Sequence, residues 1–149
     1  MGYRSDGEIV VFGPKDVMTS HLAMLRMMPE VSLIWQTNYA DLQDVYEREA
    51  PEGTQLVWHL KFSDWKWYET FGDIQAYEAL WTLSREAEER GISGFRYRFG
   101  ESNDDNEQDF FGDAADQFTV HISPIESSEG EDYETVERYV VHSFHPPSS

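Results

Sequence analysis

The sequence predicts an α+β fold, an antiparallel or mixed sheet of about five strands with two or three helices packed on one face. Three observations carry this expectation. Several short segments alternate apolar and polar residues, the period of two that a half-buried strand requires. Two other segments space their apolar residues by three and four, as a helix with one buried face does. The helical segments fall early and in the middle, and the second half is strand-rich with short turns, an order that favours antiparallel or mixed pairing with helices on one side.

Along the chain, Glu8–Phe12 (EIVVF) is a short apolar run closed by Gly13-Pro14, a strand followed by a turn. Lys15–Met28 places Val17, Met18, His21, Leu22, Leu25 and Met28 at helical spacing before Pro29. Val31–Gln36 (VSLIWQ) reads as a second strand. Asn38 can cap a short helix with apolar positions Leu42, Val45 and Tyr46, ending before Pro51, and Glu52-Gly53 is a turn. Thr54–Ser63 (TQLVWHLKFS) sets Leu56, Trp58, Leu60 and Phe62 on one strand face against Gln55, Val57, His59 and Lys61. Asp73–Arg90 is the clearest helix, with Ile74, Tyr77, Leu80, Trp81, Ser84 and Ala87 as its inner stripe and Gly91 as its cap.

Gly94–Gly100 alternates again, Phe95, Tyr97 and Phe99 against Arg96 and Arg98. A polar, acidic stretch runs from Glu101 to Asp116, interrupted by Phe110-Phe111-Gly112. Gln117–Ser123 is a further strand bounded by Pro124, and Ile125–Asp132 is expected to be a mobile loop. Tyr133–Phe144 carries one more strand or short helix. The length fits one domain over 1–149, with a tail from about residue 145 expected to fray.

Composition restricts function. The chain holds 40% hydrophobic and 15% aromatic residues, enough for a packed core, and no cysteine. That excludes a disulfide framework, a thiolate metal site and a cysteine nucleophile. No apolar stretch approaches the ~20 residues of a membrane helix. The N-terminus lacks the order of a signal peptide, and Asp6 stands where a myristoylation pattern requires Ser or Thr. The expected compartment is the cytoplasm.

The net charge is −18, with 6 bases against 12 acids in residues 1–75 and 5 against 17 in residues 76–149. Such a field repels nucleic-acid backbones and anionic lipid, so neither direct nucleic-acid binding nor a membrane partner is expected. It suits a basic protein partner, and solubility alone would also account for it.

The acidic run Glu101–Asp113 invites a calcium reading. Asp105, Glu107 and Asp109 match the alternate acids of an EF-hand loop, but Phe110 stands where Gly is required and Asp116 where Glu belongs. The sharp turn therefore fails. The histidines His21, His59, His121, His142 and His145 form no ligand spacing that converges, and no hydrolase, P-loop or dinucleotide fingerprint occurs. No cofactor and no catalytic residue is assigned. Trp65-Lys66-Trp67-Tyr68 puts three aromatics between a strand and a helix, where they cannot all face one core. One exposed ring would be an interface anchor, while Trp65 and Trp67 straddling a sheet end is the bland alternative.

Three stretches together, MGYRSD, KWYETFGDIQAYEALW and GFRYRFGESNDD, carry a resemblance. The chain resembles a group of small uncharacterised bacteriophage proteins that begin Met-Gly-Tyr-Arg-Ser and later bear a Lys-Trp-Tyr block, a helix, and an aromatic strand ending in Gly-Glu before paired acids. The resemblance implies a phage setting and supplies no site residues.

Charge, setting and missing catalytic motifs lead to one expectation: a phage-encoded interaction protein that binds and inhibits a basic host protein. Regularly placed carboxylates would stand in for the phosphates of a nucleic acid in a defence or transcription factor. The candidate carboxylates are Asp104, Asp105, Glu107 and Asp109, with Trp67 and Tyr68 as apolar anchors. A metal-dependent hydrolase built on the 101–113 segment and a virion or assembly component stay open as alternatives, as does a homodimer through exposed aromatics.

Overall fold

The computed structural model describes residues 4–68, 70–100, 106–114, 118–126 and 136–144, with side chains described for 4–68, 70–100 and 107–114. Strand β1 (Arg4–Pro14) leads directly into helix α1 (Lys15–Arg26), then a 3₁₀ helix (Pro29–Gln36), β2 (Ala40–Ala50), β3 (Gly53–Lys66), α2 (Gly72–Glu86), a short 3₁₀ turn (Glu88–Arg90), β4 (Ser93–Phe99) and β5 (Asn106–Phe111). These five strands form one antiparallel sheet in the order β2-β3-β1-β4-β5. Strands β6 (Phe118–Glu126) and β7 (Val136–Phe144) pair with each other in a separate two-stranded sheet. The α+β class is therefore the observed one.

The first four strands interleave two split β-α-β units. The unit β1-α1-β2 has β3 inserted between its strands, and β3-α2-β4 has β1 inserted between its own. This arrangement serves many unrelated activities and implies none of them.

Central β1 explains why EIVVF lacks alternation. Ile9 and Val11 point into the helix-covered layer with Trp58, Leu60, Phe62, Met18, Leu22, Leu25, Ile74 and Leu80. Val10 and Phe12 are buried on the opposite face with Val57, Phe95 and Ala114. A strand buried on both faces reads as a continuous apolar run, here from Ile9 to Phe12, in place of alternation. Gly7, at the irregularity in the β1–β3 register, admits no side chain: a Cβ would stand 2.2 Å from the Tyr97 carbonyl oxygen.

Six local expectations are corrected. Val31–Gln36 is not a strand but most of the 3₁₀ helix, because Pro29 opens a helical turn and Val31 and Ile34, three apart, bury on one side. Residues 40–50 are not a helix but β2. The spacing of Leu42, Val45 and Tyr46 suggested a buried stripe, yet all three lie on an edge strand that the turn at Pro51-Glu52 folds back along β3. The helix expected over Asp73–Arg90 stops at Glu86, and its last turn tightens to 3₁₀ before Gly91, whose φ of 97° makes the left-handed cap. Helix α1 likewise ends at Arg26, short of Met28. Within the acidic stretch 101–116, residues 106–111 form β5, paired along β4. Strand β6 runs past Pro124, which a two-stranded sheet tolerates on an outward-facing edge. Of the loop expected at 125–132, residues 127–132 lie outside the described residues, as does the tail from residue 145.

The helices are tied to each other by one buried polar contact. His21 of α1 places Nε2 2.9 Å from Ser84 Oγ of α2. Burial, reinforced by Arg90, lowers the His21 pKa to about 4, so the ring is neutral at pH 7. No described helix is long and apolar enough to cross a membrane.

Candidate functional site

The alternation of β4 sends Arg96 and Arg98 to the same side as α2, where they organise the candidate residues. Arg98 is 7% exposed. Its guanidinium donates to Ser5 Oγ at 2.7 Å and to Glu107 Oε2 at 2.7 Å, and lies 5.0 Å from the centre of the Trp67 ring. Arg96 donates to Glu78 Oε1 at 3.0 Å and sits over Trp81 at 4.6 Å. Asp109 closes this network from β5, accepting from Trp81 Nε1 at 3.2 Å and from Arg85 at 3.0 Å, with Arg96 at 4.0 Å. An arginine laid over an aromatic ring and paired with a carboxylate is held by packing and charge together. The β4–β5 register places Arg96 opposite Asp109 and Arg98 opposite Glu107, so the pairing follows from strand alignment.

Of the six residues chosen from sequence, Glu107, Asp109 and Trp67 therefore meet around two arginines. Trp67 is also part of an aromatic cluster, stacked on Phe62 at 5.6 Å and edge-on to Trp65 at 5.3 Å and Tyr77 at 5.0 Å. Trp65 is fully buried and donates Nε1 to Asp73 at 2.8 Å. Tyr68 is the ring of that segment left outside, 38% exposed and in contact with Phe71. Asp104 and Asp105 lie outside the described residues.

A second polar cluster occupies the opposite sheet face. Buried Glu8 of β1 has both carboxylate oxygens engaged, Oε1 at 2.6 Å from His59 Nε2 and Oε2 accepting from the Tyr97 hydroxyl at 2.5 Å. Burial, and then the bond to Glu8, push the Tyr97 phenol well above its usual value. Three consecutive strands are joined across their centre by these contacts. With both oxygens committed, Glu8 is placed to hold the sheet together. Sequence reading missed this cluster; an acid next to a fully apolar run was its one available sign.

Sequence reading also missed the exposed edge. Strand β2 bounds the sheet opposite β5, and no described strand pairs with its outer side. Leu42, Val45 and Tyr46 are 41, 39 and 39% exposed there, among the carboxylates Asp41, Asp44, Glu47 and Glu49. Lys15 pairs with Glu47 at 2.7 Å, and Asp41 accepts from Ser63 Oγ at 3.1 Å. Elsewhere, an open groove of about 460 Å³ runs along α2 between Glu30, Ile74 and Leu83. Among the described residues, no group of three or more His, Asp or Glu side chains is placed to hold a metal ion.

Comparison of the chain with family models, with curated proteins and with solved structures found no match.

Proposed function

We propose that this chain is an acidic interaction protein that binds a basic surface on a protein partner and blocks it, acting as a stand-in for a nucleic-acid backbone. One observation carries the reading: all but one of the described carboxylates stand outside the buried core, while two of the arginines are drawn inward. Among the described residues, Glu8 is the one buried carboxylate, while Arg98 is buried and Arg96 is largely covered. Lys15, Arg26, Lys61, Lys66, Arg85 and Arg90 stay exposed, but carboxylates outnumber them on the described surface, which is therefore strongly negative. The resemblance to small phage proteins supports a setting in the cytoplasm of an infected host, with a defence or transcription factor as the target. Carboxylates of the 101–116 region, Asp104, Asp105, Glu107 and Asp109, and the exposed ring of Tyr68 are the proposed contact residues, with Trp67 behind them as a partly covered anchor.

The test is capture of host proteins on the immobilised chain at low and high salt, with double-stranded DNA as competitor. Basic nucleic-acid-binding proteins should be retained at low salt and released by both salt and DNA, since attraction of opposite charges steers such complexes. Failure to enrich any basic protein at low salt would remove the reading's support.

A further inference from the structure

We infer that the outer edge of β2 is a docking site for an extended, cationic segment of a partner protein, which adds to the sheet as a sixth strand. This rests on the proposed function for a basic partner, and it names a contact on the edge opposite the 101–116 region, with its mode of binding.

The edge is long and regular. From Leu42 to Ala50 the β2–β3 register runs without a shift, and the one irregularity lies at its start, between Ala40 and Leu42. Edge strands are usually shortened, bulged, interrupted by proline or charged because their unpaired N–H and C=O groups are templates for another strand. The acids of β2 guard it against all but a cationic one. Here the interior of the strand has neither bulge nor proline, and three large apolar side chains stand exposed on it. Strand addition gives affinity through the main chain and selectivity through alternating side chains, and β2 offers both.

Charge decides the occupant. The strand bears Asp41, Asp44, Glu47 and Glu49 against Arg48. A second copy would bring eight carboxylates and two arginines together between two chains of net charge −18. A segment with Lys or Arg at alternate positions meets Glu47 and Glu49 on one face of the sheet instead, and the apolar residues between them stand against Leu42 and Tyr46 on the other. The backbone gives a further reason for a cation. The Val45 N–H donates to the Asp44 carboxylate at 2.9 Å, so the centre of the edge is capped by the preceding side chain. An incoming strand must free that N–H, and the carboxylate it releases, on the Leu42 and Tyr46 face, favours a segment that adds positive charge at the edge.

The probe is a nine-residue peptide of alternating lysine and valine, titrated into the full-length chain at low salt, beside a control of the same composition with its lysines in one block. Backbone hydrogen exchange across 42–50 should slow about tenfold with the alternating peptide only, the protection expected of a newly paired strand. Val45→Pro removes the outward N–H, and Asp44→Lys with Glu49→Lys reverses the charge; each should weaken binding about tenfold or more. Using both guards against a proline that disturbs the hairpin. Glu86→Lys with Glu89→Lys, at the end of α2 and in the 3₁₀ turn after it, should leave the affinity within about threefold. If the Glu86/Glu89 pair abolishes binding and the β2 variants do not, the docking site is wrong and the acidic interaction reading stands. If no variant and no salt concentration alters binding, both fail. Protection of 42–50 without peptide, together with sedimentation as a dimer, overturns the proposal in favour of a second copy.

Discussion

The two edges of the main sheet have similar chemistry and opposite fates. Strand β5 carries Glu107 and Asp109, β2 carries Asp41, Asp44, Glu47 and Glu49, and each is the last strand on its side. On β5 the neighbouring strand presents Arg98 and Arg96 opposite those acids, and the aromatic rings of α2 and of the segment after β3 hold the arginines in place. On β2 the neighbour β3 presents His59, Leu56 and Thr54 opposite Asp44, Glu47 and Glu49. The carboxylates turn to solvent, to the uncharged donors of Val45, Ser63 and Thr54, or to the exposed Lys15. An acidic edge strand is thus part of the architecture or part of the surface according to what stands one strand further in.

Breaking the β5 side should have the largest effect. Arg98→Ala removes a buried guanidinium, its bonds to Ser5 and Glu107 and its packing on Trp67. Urea unfolding should report a loss of about 3 kcal/mol, the range for removing one partner of a buried pair. Hydrogen exchange should show β5 opening before β2 in that variant. Equal opening of both edges would mean that the arginines do not distinguish them.

Acid loosens the helix layer that serves both edges. His21 has a folded pKa of about 4 against an ordinary 6.5, so between these values the unfolded chain takes a proton that the folded chain refuses. Its stabilising contribution is complete above pH 6.5 and is lost as the pH falls towards 4, a change of about 3 kcal/mol. Melts in this window should show the decline, and His21→Gln should flatten it. An unaltered slope in the variant would assign the acid sensitivity to other groups.

The smallest effect is expected on β2. Lys15→Ala removes an ion pair between two exposed side chains, and its melting midpoint should match that of the parent. A clear drop would show that β2 is held from outside, as β5 is.

Legibility in the sequence follows the same division. β3, α2 and β4 were readable because each buries a regular face: Trp58, Leu60 and Phe62 every second residue, Ile74, Tyr77, Leu80 and Trp81 at helical spacing. β2 was not, because an edge strand with Leu42, Val45 and Tyr46 half in water has no buried face to impose a period. β5 was hidden by its acids, whose partners lie on another strand and become visible only through the β4–β5 register. For that reason the convergence of Trp67, Glu107 and Asp109 on two arginines could not be read locally, although Arg96 and Arg98 on one face of an aromatic strand were the sign that something must neutralise them.

The interleaved order of the strands also has a consequence for synthesis. β1 leaves the ribosome first, yet its two neighbours are β3 and β4, and the pairing of Asp6 with Phe99 spans most of the described chain. At 5–20 residues per second, translating that interval takes roughly five to twenty seconds. Throughout it the Ile9–Phe12 segment, apolar on both sides, has no complete sheet to enter. The β2–β3 hairpin can close early, since its strands are adjacent in sequence, and so provides β1 with its first template. The nascent chain is therefore most exposed to aggregation, and most dependent on chaperones, in its first strand, the one that ends up most deeply enclosed.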